Sequence, residues 1–345
     1  MYPGVLVVQQ SLPLGVAIIF VAGLLSGVFV IPTLGVRGWE WEHNWLVYSI
    51  SAFLLVPLIL AAIVSPRIFS DVLKPEIHLA LRVGVYGLLF GVGCVLFGVT
   101  WARLGIAVAN ALVSGINVLV GSIGPLVIGA VVLDRRGWNR LILGIVPLLA
   151  GIALSAVASV GRDRSRGEES GIPTNLRQSL VGIALAFASG ALSAMLNIGF
   201  SAGSPLEAKA SSLGYPPHIS TLAVWIPALV GGFVANFAYP AFLVQRQGTW
   251  GTFVRPQKSA ELWVRSLLMG VLWSAAIFIY GYGAWIMGEG GTTYGWAIIS
   301  GAGILGSLLL GALTGEWNNS GCRPKVLMFF SVAVMVLSFV ILSSN

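Results

Sequence analysis

The stretch that decides the fold is residues 14–31, LGVAIIFVAGLLSGVFVI, because it recurs without a gap as residues 181–198, VGIALAFASGALSAMLNI. Both copies are apolar and uncharged, and they share glycine, serine and phenylalanine at matching positions. A helix needs about 20 predominantly apolar residues to cross the hydrocarbon core of a bilayer. The first copy therefore predicts a transmembrane helix, and its recurrence predicts two related halves.

Further matches follow in the same order along the chain. The matched pairs are Gly15/Gly182, Gly23/Gly190, Ser26/Ser193, Gly87/Gly270, Gly98/Gly281, Gly105/Gly288, Ser114/Ser300 and Leu119/Leu305. Apolar helices resemble one another by composition, so the shared order is what indicates a repeat.

Ten apolar runs of the required length occur in the sequence. They are residues 13–34, 44–64, 81–101, 104–131, 140–160, 178–203, 218–244, 262–286, 292–315 and 324–342. Runs this long and uniformly apolar predict an all-α integral membrane protein, since helices satisfy their own backbone groups in lipid.

The predicted domains are a first five-helix repeat at 1–160, a polar linker at 161–177 and a second five-helix repeat at 178–345. Because five is an odd number of crossings, the second repeat must be inverted relative to the first. Inverted repeats are typical of secondary transporters that open a central site alternately to either side of the membrane.

Composition supports a membrane protein and limits its partners. Hydrophobic residues make up 57% of the chain and charged residues 9%, whereas a soluble domain has roughly 25% charged residues. The net charge of +7 lies in the connectors, and 12 of the 19 Lys and Arg residues follow odd-numbered spans. This distribution predicts lipid contact rather than nucleic-acid binding, with both termini outside.

The sequence contains few features that would indicate an enzyme. The 12 acidic residues and three histidines lie in connectors or at span ends, and the two cysteines have no metal-ligand spacing. No nucleotide-binding or nucleophile motif stands in a suitable place. We therefore predict no enzymatic activity, cofactor or metal; a membrane enzyme or scaffold would need a catalytic cluster or a large soluble surface.

Neutral polar groups do occur inside the predicted spans. Asn110, Ser114, Asn117 and Gly121 step by four, three and four residues, so they share one helix face. Uncharged donors and acceptors suit a polyhydroxylated ligand, and aromatic rings can stack on a sugar. The predicted substrate-binding residues are Asn110, Asn117, Asn197, Trp225, Asn236, Trp273, Tyr280 and Trp296. Small and hydroxylated residues also suit plain helix packing, which stays open as an alternative.

Two carboxyl groups are candidates for proton coupling. Glu42 lies between aromatic residues in the string WEWEHNW at 39–45, and Glu207 follows Glu40 by the 167-residue offset of the first-span repeat. A simple solvated role at the membrane interface is the alternative for Glu42.

The string EWNNSGCRP at 316–324 resembles the pattern before the last helix of the L-rhamnose–proton symporter family, a ten-helix branch of the drug/metabolite transporter superfamily. The 39–45 string, Gly231-Gly232 with Asn236, Trp273 and Trp296 also fit that family. The resemblance implies inward, proton-driven transport of L-rhamnose or a related monosaccharide across the bacterial inner membrane. It carries over Glu42, Asn236, Trp273 and Trp296 as functional positions.

One departure bears on substrate and coupling. Residues 292–299, TTYGWAII, contain no carboxylate or imidazole, where the family pattern has an acidic residue and a histidine. Glu42 must then carry more of the coupling, or Glu207 must assist, and sodium could replace the proton. Export of an amino acid or drug-like cation, as in other branches of the superfamily, is the alternative, and it requires a buried acid facing the substrate.

Overall fold

The computed structural model describes residues 10–35, 37–166, 176–255, 259–318 and 320–344. Ten helical segments within these ranges are long and apolar enough to cross a membrane, and no residue there forms a β-strand. The predicted all-α membrane fold with ten spans is confirmed. Spans 1 to 10 are Leu12–Thr33, Trp41–Val64, Ile77–Leu104, Ile106–Val127, Arg135–Ser165, Ser179–Ser212, Pro217–Gln247, Ser259–Met287, Gly291–Leu313 and Cys322–Leu342.

Several spans are composite. Span 1 is an α-helix, Leu12–Val28, followed by a 3₁₀ turn, Ile31–Thr33; span 2 is Trp41–Ile50, a π-helical turn Ser51–Leu55 and Val56–Val64. Span 6 joins helices Leu176–Ser193, Met195–Ala202 and Ser204–Ser212, and span 7 joins Pro217–Ser220 and Leu222–Gln247. Short turns at Phe69–Leu73 and Trp250–Phe253 complete the helical content.

Span 5 is longer than the sequence predicts. It begins after Asp134, whose carboxylate caps the helix by accepting from the Gly137 N–H at 2.7 Å. It continues to Ser165, so the first residues of the predicted 161–177 linker are helical. The polar side chains there bond to one another and to the connector before span 10. Residues 167–175 of the linker lie outside the described residues.

Glycines set how closely the spans approach. A Cβ on Gly87 of span 3 would collide with the Ala228 carbonyl of span 7, and one on Gly231 would collide with the Gly84 carbonyl. Spans 3 and 7 therefore pack backbone against backbone, as small residues allow in membrane helices.

The glycines matched by the repeat pack against matched partners. Gly23 contacts Ala302 of span 9, while its counterpart Gly190 contacts Ile116 of span 4. The 186-residue offset that aligns spans 4 and 9 also relates Ile116 to Ala302.

The same correspondence holds for whole spans. Span 1 packs on spans 8 and 9, and span 6 packs on spans 3 and 4. Span 3 packs on span 7 and span 8 on span 2, while spans 2 and 7, 4 and 9, and 5 and 10 pair directly. Exchanging each span with the one five positions away preserves this set of pairs. The pattern is what a repeat requires; the inversion and the domain boundaries stay predictions.

The spacing of spans 3 and 7 yields a stability test. Gly87→Ala should destabilise the protein by about 1–3 kcal/mol, because the methyl group has no space against the Ala228 carbonyl. Gly98→Ala in the same span is the matched control, since a Cβ there meets no atom within 4 Å and the change removes glycine's helix cost of up to about 1 kcal/mol. Thermal unfolding in detergent measures both, and equal shifts would contradict the packing described.

Candidate transport pathway

A cavity of about 700 Å³ opens at the end of the bundle that carries Arg162, here called the Arg162 face. It lies between spans 1, 4, 5 and 9 and therefore joins residues of both halves. Its polar lining comprises Asn110, Ser155, Ser159, Arg162, Asp163, Ser307, Thr314 and Glu316. This is the Arg162 cavity.

At the mouth of the Arg162 cavity one arginine pairs with two carboxylates, so these three groups carry a net charge of −1. The Arg162 guanidinium donates to Asp163 and to Glu316, each at 2.8 Å, and lies 5.1 Å from the Trp317 ring centroid. Both carboxylates thus bond to the same arginine.

Deeper in the cavity the polar groups are neutral. Ser155 and Ser307 donate to the carbonyls of Ile152 and Gly27. Asn110 is exposed, Ser159 is half-buried, and neither side chain has a hydrogen-bond partner among the described residues. A ligand in the cavity would meet a free amide and a free hydroxyl. Ser155 and Ser159 are not among the predicted binding residues, although their four-residue spacing places them on one helix face.

A second cavity of about 420 Å³ opens at the opposite end of the bundle, where span 6 ends; this is the Glu207 cavity. Spans 6, 8 and 9 line it, together with the connector residues 130–132 after span 4 and Gln10. Its polar side chains include Ser201, Glu207, Glu289 and Thr292. Glu207 is half-buried and forms no ion pair or hydrogen bond with any described residue.

The two cavities are separated by a layer of buried polar and aromatic side chains, here called the septum. The septum contains Asn117 and Gly121 of span 4, which lie between the residues that line the two cavities. It also contains Trp296 of span 9 and Thr292, which lines the Glu207 cavity as well. Asn197, Trp225 and Tyr280 complete it.

Asn197 holds the septum together. Its Nδ2 donates to the carbonyls of Gly121 at 2.9 Å and Thr292 at 3.0 Å, and its Oδ1 accepts from the Tyr280 hydroxyl at 2.5 Å. Pro125 lacks the N–H that would otherwise donate to the Gly121 carbonyl, so a side chain from span 6 takes that place. One fully buried amide thus ties spans 4, 6, 8 and 9.

Aromatic rings fill the rest of the septum. The Trp225 ring stacks on Phe200 with centroids 4.3 Å apart, and Tyr280 lies edge-on to Trp296 at 5.5 Å. The Trp296 Nε1 donates to the Asn117 carbonyl at 3.2 Å. The Asn117 Oδ1 and the Trp225 Nε1 are buried and have no partner among the described residues, an arrangement that costs about 1–3 kcal/mol for each atom.

Five of the eight predicted binding residues therefore meet in the septum: Asn117, Asn197, Trp225, Tyr280 and Trp296. Asn110 lies apart from them, in the Arg162 cavity.

Asn236 and Trp273 lie elsewhere, in a seam of spans 2, 3, 7 and 8. The Asn236 Oδ1 accepts from Trp45 Nε1 at 3.3 Å, and its Nδ2 donates to the Gly232 carbonyl at 3.0 Å. The Trp273 ring packs against Phe53 with centroids 4.9 Å apart. These contacts are those of helix packing, and neither side chain lines the Arg162 or the Glu207 cavity.

Glu42 is buried in the first turn of span 2. It forms no ion pair or hydrogen bond with a described residue, and it lines neither of the two cavities. Of the two predicted coupling residues, Glu207 faces one of the two cavities and Glu42 faces neither.

The hydrogen bonds of Asn197 in the septum yield a prediction about stability, with Asn110 of the Arg162 cavity for comparison. Asn197→Leu removes three hydrogen bonds and leaves buried polar groups unpaired, so the free energy of unfolding should fall by at least about 1–3 kcal/mol. Asn110→Leu is the control, because Asn110 is exposed and unpartnered. Thermal unfolding in detergent compares the two, and a loss as large for Asn110→Leu would contradict the assignment.

Comparisons with known proteins cover almost the whole chain. A family model described as L-rhamnose-proton symport protein matches residues 8–344. A protein named L-rhamnose-proton symporter from Escherichia coli O1:K1 / APEC is 22% identical over 349 residues, covering 96% of this chain and 97% of that protein. A protein of the same name from Shigella boydii serotype 18 is 22% identical over 337 residues, with the same coverage.

A solved structure has the same fold. A protein crystal structure matches with a TM-score of 0.58 at 15% identity and covers 95% of both chains. At that identity the match bears on the fold alone.

Proposed function

The chain belongs to the L-rhamnose-proton symport protein family, and we propose that it carries L-rhamnose or a related monosaccharide inward together with a proton, by alternating access. It is a multi-pass protein of the bacterial inner membrane. The observation that carries the proposal is a pair of cavities at opposite ends of the bundle, separated by a single hydrogen-bonded septum.

The predicted repeat relates part of the two cavity linings. Spans 1 and 4 line the Arg162 cavity, and their counterparts, spans 6 and 9, line the Glu207 cavity. Spans 5 and 8 each line one cavity without a counterpart in the other. A carrier of this kind opens one cavity as it closes the other. The cavity at the Arg162 face is the larger, about 700 Å³ against 420 Å³, and we infer from this a conformation open toward that face, which the positive-inside rule predicts to be cytoplasmic.

The chemistry of the pathway favours a neutral sugar. The Arg162 cavity offers a free amide and a free hydroxyl, while its carboxylates are paired with Arg162. The septum adds rings and three buried polar atoms without a described partner, on Asn117, Trp225 and Thr292, which sugar hydroxyls could satisfy once Asn197 releases its partners. A cation exporter would need an unpaired acid at the substrate; in the Arg162 cavity both described acids bond to Arg162, so that role would fall to Glu207 of the other cavity.

Proton coupling is best assigned to Glu207. Its carboxyl group faces the Glu207 cavity, on the predicted external side, and Thr292 connects that cavity to the Asn197 hydrogen bonds. Protonation would remove a charge from a half-buried, unpaired site, which makes the closed cavity easier to form. Glu42 is the second candidate, since it is buried and unpaired but lies away from both cavities.

Uptake into proteoliposomes tests the proposal. Purified protein with an alkaline interior should accumulate L-rhamnose, and a gradient of two pH units limits one-to-one symport to about 100-fold. Glu207→Gln should abolish accumulation yet retain exchange of labelled for unlabelled sugar, because only the proton step is lost.

Glu289→Gln is the matched control, since Glu289 is an exposed carboxylate of the same cavity. Loss of accumulation in Glu42→Gln instead of Glu207→Gln would move coupling to Glu42. Accumulation driven by a sodium gradient alone would identify sodium as the coupling ion in place of the proton. Absence of uptake for every monosaccharide would contradict sugar transport.

A further inference from the structure

A groove of about 550 Å³ lies beside the Arg162 cavity at the Arg162 face, between spans 4, 5 and 10. Its lining residues are Val108, Ala156, Val157, Val160, Gly161, Arg164, Ser165, Arg323, Pro324 and Leu327. It is distinct from the sugar pathway in composition, because it combines an aliphatic wall with two arginines at one end.

The wall of the groove is suited to hydrocarbon. Val157 and Val160 of span 5 and Leu327 of span 10 supply branched aliphatic side chains, and Val157 is 56% exposed. Gly161 permits close approach of the two spans at the floor, where its Cβ position lies 3.2 Å from Pro324 Cγ. An exposed aliphatic wall on a membrane span faces lipid rather than water.

The polar end of the groove is positive. Arg164 and Arg323 are exposed, and in the described ranges neither guanidinium has an ion pair or a hydrogen bond. Asp163 and Glu316 bond to Arg162 rather than to these two arginines. The three arginines and two carboxylates together carry a net charge of +1. Span 10 begins at Cys322 with no side-chain cap, which leaves its positive helix end at the same place.

We propose that this groove binds one anionic phospholipid. The phosphate lies between Arg164 and Arg323, and an acyl chain lies along Val157, Val160 and Leu327. Basic pockets between spans on the cytoplasmic side attract anionic headgroups, and the charge distribution places this face there. The inference does not depend on what the carrier transports.

Native mass spectrometry of the full chain in detergent tests the proposal, with phosphatidylglycerol and phosphatidylcholine as probes of matched acyl chains. The wild-type protein should hold one phosphatidylglycerol in preference to phosphatidylcholine. The double variant Arg164→Gln/Arg323→Gln should bind it about 30-fold more weakly, since each arginine near a headgroup contributes roughly five- to sixfold.

The double variant Arg103→Gln/Arg246→Gln is the matched control, because it removes two exposed arginines from the same face outside the groove. A second variant, Val157→Gln, should weaken phosphatidylglycerol binding without altering the charge. Four results would each overturn the lipid assignment. They are equal binding of both lipids, unchanged binding in the Arg164/Arg323 variant, an equal loss of binding in the control, and competition by inorganic phosphate at the same concentration as the lipid.

Discussion

A backbone carbonyl freed by a proline inside a membrane bundle has no water to bond, so the protein itself must supply a donor. Pro125 creates this need at Gly121, and Asn197 of span 6 meets it. Once the amide is placed there, its remaining atoms bond to Thr292 and Tyr280. The septum, and with it the separation of the two cavities, follows from that requirement.

A second proline in the seam of spans 2 and 7 also frees a carbonyl that a side chain from another span satisfies. Pro240 removes the donor for the Asn236 carbonyl, and the Ser49 hydroxyl donates to that carbonyl at 3.0 Å. Among the described residues, Asn236 has partners for both its amide atoms, whereas the septum leaves Asn117 Oδ1, Trp225 Nε1 and Thr292 Oγ1 buried and unpaired. The difference is consistent with a seam that stays closed and a septum that must open for a ligand.

Much of this architecture could be predicted from the sequence. The number of spans follows from length and hydropathy, and the Gly23/Gly190 match anticipates two packing contacts that the structure contains. The breaks in spans could not be predicted, because the π-turn at Ser51–Leu55 and the end of a helix before Gly203 depend on packing against neighbouring spans. Helical spacing places a residue on a face but does not say which neighbour that face meets. For that reason Asn197 and Asn236 looked alike in sequence, and Ser159 was overlooked.

The central claim is that the two cavities open in turn about the septum. Single-cysteine variants at Ser159 in the Arg162 cavity and Ser201 in the Glu207 cavity, with Cys94 and Cys322 replaced by alanine, report this through labelling with an impermeant maleimide. Saturating sugar and acid on the Glu207 side should favour the closed Glu207 cavity. Labelling should then become slower at position 201 and faster at position 159. Labelling that rises or falls together at both positions, or does not respond at either, would contradict alternating access in this protein.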